Sequence, residues 1–153
     1  MPGAPHAGSS SHALSVSLRW EGGQAGAGRL ATAGLGEASV GAPTTLGGSG
    51  QGTSPEELLL ASAAGCYAIT LAGILERMRL PVAGIELRSE ADVEAGPPLH
   101  LASILHRPLL RLGPGGDAAR ARRAALLAEE HCMISRAVRG NVLVRVEAEI
   151  VTG

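Results

Sequence analysis

The chain has 153 residues, 14 acidic and 13 basic side chains and a formal net charge of -1. That length suits one hydrophobic core and leaves little room for a second. Balanced charge argues against a nucleic-acid partner, because phosphate binding needs a basic excess on one face.

Every basic residue is Arg, there is no Phe, and Trp20 and Tyr67 stand alone of their kinds. The core must therefore be filled by Leu, Val, Ile and Ala, which requires backbones to approach closely. Met1 to His12 lacks the basic and apolar regions of a secretory leader and reads as a disordered tail, with 13–153 expected to form a single domain. From Ala13 to Trp20, Leu14, Val16, Leu18 and Trp20 alternate with more polar residues, the period of a strand with one buried face. A Gly-rich turn over Glu21 to Gly28 leads to a second strand at Arg29 to Ala33, completing an N-terminal hairpin. Gly34 to Gly52 reads as a loop or weak edge strand.

Thr53-Ser54-Pro55-Glu56-Glu57 is a helix start: a hydroxyl to cap, Pro in the first turn and carboxylates where the macrodipole favours them. The helix is predicted to continue to about Arg79, before Pro81. Leu58 to Leu75 contains no charged residue, so the helix is apolar around its circumference and belongs either in the centre of a fold or in a bilayer. Eighteen such residues reach the lower range of a membrane span. Ser62, Gly65, Cys66, Tyr67, Thr70 and Gly73 dilute the hydrophobicity, so a buried central helix is preferred and no membrane partner is expected. One small domain cannot cover such a helix on every side, which points to a homodimer with Ser54 to Arg79 near the two-fold axis.

Beyond Pro81, Ile85, Leu87 and Ser89 mark one strand, and Leu99, Leu101 and Ser103 begin another ending near Leu110, the two joined through Ala95-Gly96-Pro97-Pro98. Asp117 to His131 reads as a second helix with Ala118, Ala121, Ala125 and Leu126 on one side. Cys132 falls at its end. Met133 to Arg139 continues as a helical turn, Gly140-Asn141 breaks it, and alternating Val142, Val144, Val146 and Ala148 make a C-terminal strand. The class is α+β.

Two cysteines without a leader imply a reducing, cytoplasmic setting in which thiol chemistry is transient. Free cysteines by themselves usually pack as small hydrophobes. There is no CxxC pair, and His6, His12, His100, His106 and His131 are dispersed, so neither a zinc site nor any other cofactor is expected. The run Arg120-Ala121-Arg122-Arg123 reads as a solvated helix face. His131 reads as a solvated helix-terminal residue.

The segment Ser54-Pro55-Glu56-Glu57-Leu58-Leu59-Leu60-Ala61-Ser62-Ala63-Ala64-Gly65-Cys66 resembles the OsmC/Ohr family (osmotically inducible protein C and organic hydroperoxide resistance protein). That family's signature is a Pro-Glu helix start with a cysteine ten residues after the Glu. Glu130-His131-Cys132-Met133-Ile134-Ser135-Arg136-Ala137-Val138 is similar to the family's second motif, and the resemblance covers roughly Ala13 to Val151. Gly65-Cys66-Tyr67-Ala68-Ile69 looks more like a less characterised branch. The resemblance implies an OsmC-like fold in a swapped homodimer that reduces organic hydroperoxides or hydrogen peroxide by thiol chemistry. It makes Cys66 the peroxide-attacking cysteine, Cys132 the resolving cysteine and Glu56 a third site residue, with a dithiol reductant of lipoyl type in the Ohr branch.

The family's activating Arg lies upstream of the first motif, whereas Gly34 to Gly52 contains none. Arg29 and Arg19 are the nearest upstream candidates, and Arg136 is another. A free thiol has a pKa of about 8.5, so without a fixed cation Cys66 is expected to react more slowly at neutral pH than in Arg-bearing relatives, with reactivity rising toward alkaline pH. In a continuous helix Glu56 lies about 15 Å along the axis from Cys66. A role at the thiol thus requires a break in the helix or a Glu56 donated by a partner subunit; otherwise Glu56 serves the helix N-terminus alone. A different class of function is a non-catalytic OsmC-like dimer that binds a small hydrophobic molecule near Cys66.

Overall fold

A computed structural model describes residues 13–153. The expected tail, Met1 to His12, lies outside the described residues. Contacts divide the chain into two compact units, the first ending at Pro55 and the second spanning Glu56 to Gly153.

The first unit is an antiparallel meander of β1 (Val16–Glu21), β2 (Ala27–Thr32) and β3 (Gly36–Val40). The β1–β2 turn depends on glycine: a Cβ on Gly26 would lie 2.1 Å from the Glu21 carbonyl oxygen. β3 forms inside the segment read as a loop or weak edge, pairing Leu30 with Ala38 and Gly28 with Val40. The alternation in β1 holds, but the buried face expected of it does not. All six residues of β1 are exposed, Val16 at 68% and Leu18 at 57%. A single three-stranded layer has no second layer of its own to cover an apolar face.

The second unit begins with α1 (Pro55–Arg77), whose first turn carries Glu56 and Glu57. Arg79 ends it in the left-handed region at φ 53, and the Leu80 N–H returns to the Leu75 carbonyl at 3.1 Å, just before Pro81. Ala63, Tyr67, Leu71, Ile74 and Leu75 are buried, at helical spacing on one face. The opposite side is open, with Ile69 76% exposed. Within one chain, then, only one face of α1 meets the core, in line with a domain too small to cover the helix on every side.

β4 (Val82–Glu94) and β5 (His100–Leu112) form the long antiparallel pair. The C-terminal strand is split into β6 (Leu143–Val146) and β7 (Glu149–Thr152), both parallel to β5. β6 pairs with Ser103 to His106 and β7 with Leu109 to Leu112. The gap falls beside Pro108, which has no N–H to give to the ladder.

Between β5 and β6 run α2 (Ala118–His131) and α3 (Met133–Val138). Asp117 caps α2, its carboxylate accepting the Arg120 N–H at 3.0 Å. The buried stripe of α2 is Ala121, Ala124, Ala125 and Ala128, while Leu126, expected on that face, is 53% exposed. At about 100° per residue, position 126 turns away from a stripe set by 121, 125 and 128. The alanine face lets α2 approach closely, and Tyr67, Leu71 and Leu75 of α1 join Leu110 and Leu112 of β5 and Cys132 in one core.

Candidate functional site

Cys132 is the joint between α2 and α3. Its backbone is extended (φ -64, ψ 123), its N–H closes α2 on the Glu129 carbonyl at 3.3 Å, and its Sγ accepts the Ser135 N–H at 3.5 Å. A sulfur thus occupies the capping position usually held by a side-chain oxygen. The first amides of α3 are left for another acceptor.

That acceptor is Cys66. Burial acts to raise its pKa, and the backbone N–H of Ile134, the Cys132 side chain, the Met133 N–H and the Thr70 hydroxyl, in that order, act to lower it; the thiol is held below its ordinary value. The Thr70 contribution is the smallest, and its hydroxyl also donates to the Cys66 carbonyl at 2.8 Å. Amides directed at sulfur stabilise the anion more than the neutral thiol. The groups that lower it are all hydrogen-bonding partners, and none is a cation.

Cys66 is half-buried and Cys132 buried, and the fold brings the two sulfurs together although they are far apart in sequence. Glu56 is not brought to them in its own chain. α1 runs unbroken from Pro55 to Arg77, so the separation stays at about 15 Å along the axis. One Glu56 oxygen, Oε2, is buried with no hydrogen-bond partner among the described residues. Arg19 and Arg29 belong to β1 and β2 of the first unit, where Arg29 pairs with Glu37. Arg136 is exposed on α3.

Beneath the thiols lies a pair that sequence reasoning passed over. Tyr67 is fully buried, donates its hydroxyl to the Ala125 carbonyl at 3.0 Å and stacks on His106 with ring centroids 4.6 Å apart. Burial, with Cys132 and Glu129 nearby, pushes the Tyr67 hydroxyl well above its ordinary value. His106 is also fully buried; Nδ1 meets Ser89 Oγ at 2.7 Å while Nε2 has no partner among the described residues. Burial lowers its pKa to about 4, so the ring is neutral near pH 7. Its inward position was readable from the alternation of β5, since Ile104, Leu110 and Leu112 share its parity.

A cavity of about 660 Å³ opens beside the thiols, lined chiefly by Ile69, Thr70, Ile74, Met78 and Leu127, with Arg77 and His131 also on its wall. Thr70, one helical turn beyond Cys66, links the cavity to the thiol. Among the described residues no group of three or more His, Cys, Asp or Glu is placed to hold a metal. α1 has the length and composition to cross a membrane, but its Tyr67 face builds the core of this unit.

The fold and its cysteines define a class: an α+β protein with two cysteines brought face to face. A family model described as OsmC-like protein matches residues 48–147. This chain belongs to that family. It is 35% identical over 146 residues to the uncharacterized protein YmaD of Bacillus subtilis, covering 93% of this chain and 97% of that one. Among solved structures, it resembles an organic hydroperoxide resistance protein OsmC from Legionella pneumophila (24% identity, TM-score 0.73, 91% of this chain and 99% of that one). It also resembles the organic hydroperoxide resistance protein OhrB of Bacillus subtilis (22% identity, TM-score 0.68, 89% and 98%). These structural likenesses establish the OsmC-like fold.

Proposed function

We propose that this protein is a cytoplasmic thiol peroxidase that reduces organic hydroperoxides, with a role in oxidative-stress defence. The observation that carries the reading is the Cys66 thiol, held below its ordinary pKa with Cys132 hydrogen-bonded to it. The Cys66 thiolate attacks a peroxide oxygen, the O–O bond breaks, and the alkoxide leaves and takes a proton as the alcohol. Cys66 becomes a sulfenic acid. The Cys132 thiol condenses with it, forming the disulfide and releasing water; a dithiol of lipoyl type then returns two electrons and is itself oxidised to a disulfide.

The apolar wall of the cavity beside Thr70 favours an alkyl or aryl hydroperoxide over hydrogen peroxide. A homodimer completes the proposal. The outer side of α1, with Ala61, Gly65 and Ile69 exposed, is small and apolar enough for a second α1 to pack closely. An antiparallel partner helix would carry its Glu56 toward Cys66, removing the separation of about 15 Å within one chain.

Steady-state turnover of cumene hydroperoxide and hydrogen peroxide with dihydrolipoamide tests the reading. Faster consumption of the organic peroxide is expected, with a Cys66–Cys132 disulfide appearing by mass spectrometry after one equivalent. No consumption, or only intermolecular disulfides, would overturn it. A second reading, a non-catalytic binder of a small hydrophobic molecule, is favoured by one feature: neither cysteine is among the residues lining that cavity. Saturable ligand binding without peroxide turnover would select it.

A further inference from the structure

α3 begins on two sulfur atoms rather than on side-chain oxygens. The Ser135 N–H ends on Cys132 Sγ at 3.5 Å, and the N–H groups of Met133 and Ile134 end on Cys66. These are the amides a helix cannot satisfy internally, so the start of α3 depends on the state of one pair of thiols. The helix has only six residues, too few to be stable on backbone bonds of its own. It also carries an uncompensated group: Ser135 is 1% exposed and its Oγ is buried with no partner among the described residues. A hydroxyl left so destabilises the packed form and is relieved by water on opening. Ile134 and Val138 oppose opening, since both pack against buried core residues.

We propose that α3 is a redox-controlled latch, closed on reduced Cys66 and Cys132 and loosened when the two sulfurs join as a disulfide, an extension that rests on the thiol pair of the proposed peroxidase. In the reduced protein Cys66 accepts the amides as a thiolate, and such charge-assisted bonds are the strong ones. A disulfide sulfur is neutral and a weak acceptor. On oxidation the amides of Met133 and Ile134 thus lose their anion, while the unpaired hydroxyl of Ser135 stays. Local opening of α3 then gains population with the rest of the unit unchanged. The packing of Ile134 and Val138 keeps the open form a minority. Opening serves the reductive half of the cycle: Cys132 is 0% exposed, and a reductant reaches its side of the disulfide only when the cover moves.

Residue-resolved amide hydrogen exchange of the full-length protein, reduced and after treatment with diamide, tests the latch without peroxide. Diamide takes the two thiol hydrogens onto its N=N bond as the S–S bond forms. With the intrachain disulfide confirmed by mass, the amides of Met133 and Ile134 should exchange about tenfold or more faster than in the reduced protein. Those of Ala124 and Ala125 in α2 should hold their rate. A cross-link ordinarily stabilises, so the sign of the change is diagnostic. Ser135→Ala removes the stranded hydroxyl and should slow exchange in oxidised α3 several-fold relative to the oxidised parent. Cys132→Ser, which keeps a capping oxygen, should show no acceleration with diamide. A disulfide without acceleration, or acceleration spread equally over α2, would overturn the latch and leave the thiol pair standing. Absence of an intrachain disulfide would overturn both.

Discussion

Cys66 and His106 are two ionisable groups of one unit, both drawn out of water and joined through Tyr67, and their protonation is pushed in opposite senses. Around Cys66 the amides of Ile134 and Met133 outweigh burial and favour the charged thiolate. Around His106 burial acts alone, Nε2 meets no partner, and the neutral ring is favoured. Burial by itself suppresses charge; charge persists in a core only where donors are aimed at it. The contrast separates the end of this core that favours charge from its neutral, inert end. It can be broken from either side.

Loss of the sulfur has the largest expected effect. Cys66→Ser should abolish peroxide consumption, since an alkoxide is not formed at neutral pH in place of the thiolate. Cys132→Ser should keep the first oxidation and lose turnover, with sulfinic acid accumulating at Cys66 on excess peroxide. Mass spectrometry distinguishes the two. Rapid turnover by Cys66→Ser would remove Cys66 from the chemistry altogether.

At the inert end the effect is on stability. The folded chain holds His106 at about 4 and an unperturbed His titrates at 6.5, so between those pH values the unfolded chain binds more proton. The contribution is fully present above about pH 6.5 and is lost as pH falls through 4, by about 3 kcal/mol in all. Urea titrations across this range should show that slope, and His106→Gln should flatten it. An unchanged slope in the variant would place the acid sensitivity elsewhere.

A smaller effect is expected from a single amide. Met133 is the first residue of α3 and 69% exposed, and Cys132 before it is already extended at ψ 123. Proline is tolerated at such a position and removes one N–H. Met133→Pro should therefore raise the pKa of Cys66 toward its ordinary value and slow its alkylation at pH 7 while leaving the fold intact. A pH profile of iodoacetamide reaction is the measurement, and an unshifted profile would deny that amide a part in activation.

These amides explain what the sequence could and could not disclose. Ser54-Pro55-Glu56 announced the start of α1, and the segments around Cys66 and Cys132 announced both thiols, because side-chain types at fixed spacing carry that information. Backbone N–H groups have no letter of their own. Arg19, Arg29 and Arg136 are visible as letters, whereas the amides that lower the Cys66 pKa, those of Ile134 and Met133, are not. The break between β6 and β7 was hidden for another reason: it faces Pro108, which lies in a different strand. The exposed face of β1 escaped because hydrophobic periodicity shows which face seeks cover and not whether the chain itself provides it.

The smallest effect should come from Thr70. Its hydroxyl has one proton and two nearby acceptors, the Cys66 carbonyl at 2.8 Å and the Cys66 sulfur, where it contributes least among the lowering groups. A helical Thr commonly bonds the carbonyl four residues back, so the sulfur receives only a share of that proton. Thr70→Val keeps the shape and removes the donor. Alkylation of Cys66 should slow less than in Met133→Pro, with the pH midpoint moved in the same direction. Because Thr70 also lines the cavity beside the thiols, the added methyl makes that wall more apolar, so KM for cumene hydroperoxide should hold or fall while the rate constant drops. If Thr70→Val instead slowed Cys66 more than Met133→Pro did, the hydroxyl would rank above the amide, and the contrast with His106 would rest on a side chain rather than on the start of α3.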